Sequence, residues 1–340
     1  MNGFKRFGVN AAKALALPVG LYVLMFVLTR LFGTGQFGTW ASLRAVAQQT
    51  MVGACVALAM TCNMQNDRWD FSIGMIFILT GIVAAPFAVQ LGWGPMGLLL
   101  CCVAVGLIAG MINAAAYLTI RVPSIVTSIG LMIAYESIAL VYNNGGGAKI
   151  TDFNMLVFGR PPFVFVLGLA AGVVFYMLYT HTIFGYNARS LARAQALAVS
   201  TGINEKRNVF GCYLLCGLML GVAGTINLST GGSILASVRL NGANNTMFEA
   251  FAPVFIGFYL SQYVNLTIGV FIGAFSIKLL TAGLLGLGIS SAFQTVGVGV
   301  FLLLFIAFTT NQARISEFRR VRKRIASVNK RNEFPNGAVN

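Results

Sequence analysis

The chain has 340 residues, of which 57% are hydrophobic and 9% charged, with a formal net charge of +15. A soluble domain of this composition would have to expose an apolar surface, so the chain reads as an all-α polytopic membrane protein, a single membrane domain over 1–340. The basic excess in so apolar a chain marks loops on one side of a bilayer and argues against a nucleic-acid partner.

About twenty apolar residues cross a bilayer, and about ten segments answer to that. The first, 15–32, follows Lys5, Arg6 and Lys13 and has no small-residue cleavage pattern behind it, so it is expected to remain as an anchor. The second, 45–63, is more polar. After the turn QNDRWD come 71–91 and 96–120, and then Arg121, Val122 and Pro123, which break the helix ahead of 124–142. The loop NNGGGAKITDF leads to 161–180. A polar, basic island follows from His181 to Arg207, in which 188–199 reads as one surface helix. Arg189 and Arg193 share one face of it, with Leu191, Ala194 and Ala198 on the other. Such a helix either docks on a partner or lies on lipid headgroups. Beyond it come 209–228, a polar loop able to bend back toward the membrane, then 248–260 (short for a crossing), 264–284 and 290–310. The basic tail 311–340 reads as solvated and close to anionic lipid.

Ten crossings put both termini on one side, together with the QNDRWD turn, the Arg121 link and the island. Most of the 23 Lys and Arg fall there, Arg30, Arg44, Lys149, Arg160, Arg239 and Lys278 being the exceptions, so that side is expected to be cytoplasmic.

Polar side chains within spans are costly unless they face a cavity or a partner. Gln48, Gln49, Asn63, Asn113, Tyr135, Glu136 and Gln294 are therefore candidates for a path taken by a small polar solute, with interhelical hydrogen bonding as the other reading of each. Glu136 and Lys278 lie at matching depth, so they either pair or Lys278 snorkels outward. Asp70 reads as the N-cap of the third span, with Ser72 and Gly74 permitting close packing. Glu249 opens the eighth, and His181 is a residue of the membrane edge. The six cysteines read as free, buried thiols, with no metal-ligand spacing, and GVAGTINLSTGG and GLLGLG as close helix packing.

Four motifs occur in a known order. They are DFSIG at 70–74, GMINAAAYLTIRVPSIVTSIG at 110–130, the island's Thr182, Phe184 and Gly185 with Ser200, Gly202 and Ile203, and MFEAFAPVFIG at 247–257. Together they resemble the permeases of ribose- and galactose-type ABC sugar importers. The resemblance implies a type II importer fold with pseudo-repeated halves. It implies a non-enzymatic permease subunit of a bacterial inner membrane, moving a sugar or similar uncharged solute inward. Phe184, Gly185, Ala188, Arg189, Arg193, Ser200, Gly202 and Ile203 would couple to a separate ABC ATPase. That partner would carry the ATP and Mg, since this chain has no G-x-x-x-x-G-K-[ST]. A solute-binding protein and a second permease copy, or a related chain, complete the expected assembly. The chain departs from the family pattern at Glu136 and Ser137, at Tyr186, at Met247 and Glu249, and in lacking G-G-x-G after the eighth span; these departures bear on the solute. The alternative is an ion-coupled secondary transporter, which would need titratable groups near the midplane.

Overall fold

The computed structural model describes residues 3–33, 35, 37–235 and 244–332. Arg239 and the end of the tail, 333–340, lie outside the described residues, as do the side chains of 312–332. The helices in order are α1 (Gly3–Phe32), α2 (Trp40–Gln65), α3 (Ile73–Leu91), α4 (Gly94–Ile120), α5 (Ser124–Val141), α6 (Phe163–His181), α7 (Ile183–Arg193), α8 (Gln195–Ser200), α9 (Glu205–Gly231), α10 (Asn244–Leu260), α11 (Leu266–Gly286) and α12 (Ser291–Asn332). Among the described residues nine of these are long and apolar enough to cross a bilayer, and α10 is a shorter apolar helix.

Polar side chains cap several of them. Thr39 accepts from the Ser42 amide at α2, Asn204 from Arg207 at α9 and Asn265 from Thr267 at α11. Gly92 and Gly232 end α3 and α9 in the left-handed conformation, where an L side chain would be strained. Residues Met1–Thr295 form one compact unit, and Val296–Asn340 a second that continues α12. The expected solvated tail is thus helical to Asn332, because Arg, Lys, Glu and Ser sustain a helix and the first breaker is Pro335.

Within the first unit α9 is the most enclosed span, followed by α2 and α3. The most extensive helix pair is α4 with α9, where Gly106 and Gly110 face Gly217 and Gly221. All six cysteines are free, Cys101 being only half-buried, and the Cys62 and Cys212 sulfurs meet at 2.9 Å between α2 and α9.

The two loops expected to be merely polar form a small ribbon. β1 (Ala148–Lys149) pairs antiparallel with β2 (Ser233–Ile234), and Ile234 lies over Gly81 of α3. The ribbon adjoins one end of α9, and α7 and α8 lead into the other. The helix has 27 residues, so at 1.5 Å per residue about 40 Å separate them.

Candidate functional site

Toward the ribbon end, α2, α3, α9, α10 and α11 enclose a cavity of about 400 Å³. This lies within the roughly 300–1,000 Å³ range of small-molecule sites. Gln48 and Gln49 of α2, Asn227 and Thr230 of α9, Thr246 and Glu249 of α10 and Lys278 of α11 supply polar groups; Val52, Val56, Phe77 and Ile277 supply apolar wall. Lys278 Nζ lies 3.0 Å from Glu249 Oε2. The lysine stem crosses α2 at Gly53, where a Cβ would already touch its Cε at 3.4 Å. Pro253, on the cavity face of α10, has no N–H to offer the Glu249 carbonyl four residues earlier.

Lys278 therefore pairs with Glu249 and not with Glu136. The eighth span was expected to begin at 248, which left Glu249 at its mouth. Because α10 starts at Asn244, Glu249 is already a turn and a half into the helix.

Of the other expected path residues, none lines the cavity among the described residues. Asn63 is fully buried near the far end of α2 with both side-chain polar atoms unpaired. Glu136 is buried on α5, and Gln294 donates to the Ile289 carbonyl at 2.7 Å. Asn113 and Tyr135 belong to a closed polar network. Asp70 Oδ1 accepts from the Ser72 amide at 3.0 Å and the Ser72 hydroxyl at 2.6 Å. Asn113 Nδ2 donates to Ser72 Oγ at 2.6 Å and to Asp70 Oδ2 at 3.3 Å. The Tyr135 hydroxyl donates to Asn113 Oδ1 at 2.8 Å. Burial raises the Asp70 carboxyl above its ordinary pKa, opposed by the hydrogen bonds from Ser72 and Asn113. Asp70 is thus no N-cap: Ser72 stands at the head of α3, with no side-chain cap bond, and Asp70 ties the α2–α3 link to α4 and α5.

In a membrane interior such a network is the interhelical reading of these side chains. Tyr135→Phe leaves the Asn113 carbonyl oxygen unpaired while keeping the ring. The expected loss is about 1–3 kcal/mol, checked by thermal melting in detergent. An unchanged melting temperature would mean the network contributes nothing.

The QNDRWD turn, expected to face water, is largely drawn inside. Arg68 and Asp70 are buried, the Trp69 amide donates to Ser124 Oγ at 3.1 Å, and Ser128 Oγ donates back to the Trp69 carbonyl at 3.3 Å. The Trp69 ring packs on Phe251 and Phe255 of α10, with centroids 5.6 and 6.5 Å away. Sequence reasoning passed over this aromatic contact; the one signal for it was a tryptophan inside a polar turn.

The island also differs from the single helix expected over 188–199. It is two helices, α7 starting early at Ile183 under a Thr182 cap, then α8, with Ala194 out of the helical conformation between them at φ −155°, ψ 83°. Alanine is the best helix former, so the break comes from tertiary anchors on either side. Arg189 turns inward, its guanidinium 5.6 Å from the Tyr179 ring and 3.2 Å from the Thr180 carbonyl. Gln195 Nε2 donates to Glu205 Oε1 at 2.8 Å. Gly185, Ala188, Leu191 and Ala198 are buried; a Cβ on Gly185 would fall 2.7 Å from the Tyr179 Cα. Phe184 holds α9 through its carbonyl, which accepts from Asn208 at 3.1 Å. Gly202, at φ +93°, and Ile203 close the end of α8, their amides bonded to the Val199 and Ala198 carbonyls. The Ser200 hydroxyl donates to Leu197, and Arg193 is exposed. Ile183, Tyr186, Leu197 and Val199 present apolar surface. His181 lies edge-on to Tyr176 at 5.1 Å.

The α2–α3 region is held at two points, once by the end of α6 that leads into the island and once by the island itself. The Tyr179 hydroxyl donates to Gln65, the last residue of α2. Glu205 Oε1 lies 3.7 Å from Arg68 Nη2.

The sequence pattern of the family described as "Branched-chain amino acid transport system / permease component" matches residues 42–309. The chain is 28% identical over 300 residues to the ribose import permease protein of Escherichia coli K12, covering 85% of this chain and 91% of that protein. It is 21% identical over 305 residues to the fructose import permease protein of Rhizobium meliloti, covering 86% and 84%. With the galactose/methyl galactoside import permease protein of Haemophilus influenzae it shares 22% over 291 residues, covering 77% and 84%.

Proposed function

The chain belongs to the branched-chain amino acid transport system permease family, and on that premise we propose that it is the membrane subunit of an ATP-driven importer for a sugar or similar small uncharged solute. It is a multi-pass transport component, not an enzyme. Its relatives are named as import permeases of ribose, fructose and galactose, which favours this reading over an ion-coupled carrier.

The observation that carries the mechanism is the double role of α2. Gln48 and Gln49 line the cavity near one end, and Tyr179, in the last turn of α6 leading into the island, holds Gln65 at the other. An ATPase clasping the exposed Ile183, Tyr186, Arg193, Leu197 and Val199 would move α7 and α8. Through Tyr179, Gln65, Glu205 and Arg68 that motion would reach α2 and α3 and open or close the cavity. ATP and Mg belong to the ATPase, a solute-binding protein delivers at the ribbon end, and a second permease copy or a related chain completes the pore. The membrane is a bacterial inner membrane with the island and both termini on its cytoplasmic side, an orientation that the positive-inside bias supports.

The test is uptake of labelled D-ribose, D-fructose and D-galactose by vesicles carrying this chain with its ATPase and solute-binding protein. Uptake of one of them is expected, dependent on ATP and indifferent to ionophores. Accumulation by this chain alone under an ion gradient would refute the importer.

A further inference from the structure

We propose that the Glu249–Lys278 pair is the charge filter of the cavity, holding a neutral polyhydroxylated solute through neighbouring hydroxyls and turning away charged counterparts of the same size. The inference rests on the cavity being the solute site of the importer proposed above.

Among the described lining residues these two are the only ionisable side chains. Their 3.0 Å contact leaves the cavity with no net charge but a strong local dipole. Neither is sealed off: the side chains keep 21% and 40% exposure. An ammonium has three donors and a carboxylate about four acceptor sites, so one mutual contact does not exhaust either group. A pair of adjacent hydroxyls both donates and accepts, and so bridges the two ends of such a dipole without breaking its balance. Gln48, Gln49 and Asn227 add amides with the same double character. A carboxylated or aminated sugar would bring an unbalanced charge into an enclosed site that has none to offset it, and would lose its hydration unrewarded.

Binding to the purified full-length chain is read by saturation-transfer NMR with D-galactose, D-galacturonate and D-galactosamine as probes, and uptake by the complete importer is measured in parallel. Wild type should respond to galactose at least about fivefold more strongly than to either charged sugar. Glu249→Gln leaves the cavity positive and should raise the galacturonate response relative to galactose about fivefold; Lys278→Met leaves it negative and should do the same for galactosamine. The exchanged pair, Glu249→Lys with Lys278→Glu, should return to the wild-type ratios, and because it keeps the contact it separates selectivity from misfolding. Equal response of wild type to all three probes, or unchanged ratios in both single variants, overturns the filter. No galactose response in wild type, with ATP-driven sugar uptake intact, overturns the filter and leaves the importer standing. Absence of ATP-driven uptake of every sugar tested overturns both.

Discussion

Gly217→Val is expected to destabilise the protein by about 3 kcal/mol, the upper part of the range for overpacking a tight interior, and to cut the yield of folded protein in the membrane. On α9 this glycine faces Gly106 of α4, with the Leu107 Cα 3.3 Å from where its Cβ would stand. One turn on, a Cβ at Gly221 would lie 2.5 Å from the Val103 Cα, and one at Gly110 would lie 2.5 Å from the Tyr213 carbonyl oxygen. Two small-xxx-small rows, 106/110 and 217/221, interlock backbone against backbone, so the strain cannot be relieved by turning a side chain. In lipid, where apolar burial between helices gains little, close backbone approach is what holds such a pair together. Gly130→Val is the control: nothing lies within 4 Å of its Cβ position on α5, and that variant should melt close to wild type. Equal melting temperatures for Gly217→Val and wild type would mean that α4 and α9 do not approach this closely.

The spans were legible because hydropathy needs only composition and length, and the island was legible because it interrupts that pattern with charge. The family could be read from short motifs in order, and the match over 42–309 bears that out. What could not be read was which polar residues turn toward one another. Gln48 and Asn113 look alike in sequence, an amide in an apolar run. Only the packing of α2 against α10 and α11 gives one a cavity, and only the folding-in of Asp70, Ser72 and Tyr135 gives the other its partners. Glu249 was not among the partners expected for Lys278 for a simpler reason: helix starts are poorly marked in polar loops, and four residues of unseen helix moved Glu249 from the mouth of α10 into its wall. Ala194 carries no breaker signal at all, since the bend there is imposed from outside by Arg189 and Gln195.

Removing either member of the Arg68–Glu205 pair should have unequal consequences, and the inequality tests how the island is wired to the membrane helices. Arg68 is 5% exposed and Glu205 is 35% exposed, at 3.7 Å. Glu205→Ala leaves a buried guanidinium, whose Nη1 already has no partner, with no counter-charge. Breaking a buried pair in this way costs about 3–5 kcal/mol. Arg68→Met instead leaves a carboxylate that water reaches and that still accepts from Gln195 at 2.8 Å. The methionine fills the apolar volume of the arginine stem, so the expected cost is about 1 kcal/mol or less, as for an exposed pair. Thermal melting of both variants checks the order. If Arg68→Met is the more damaging, Arg68 is held by something other than Glu205. In the assembled importer Arg68→Met should then separate two rates: ATP hydrolysis near the wild-type level, with solute uptake down about tenfold, because the island still fits its partner but no longer pulls on the α2–α3 link. Loss of both rates in equal proportion would place the coupling elsewhere, on the Tyr179–Gln65 contact.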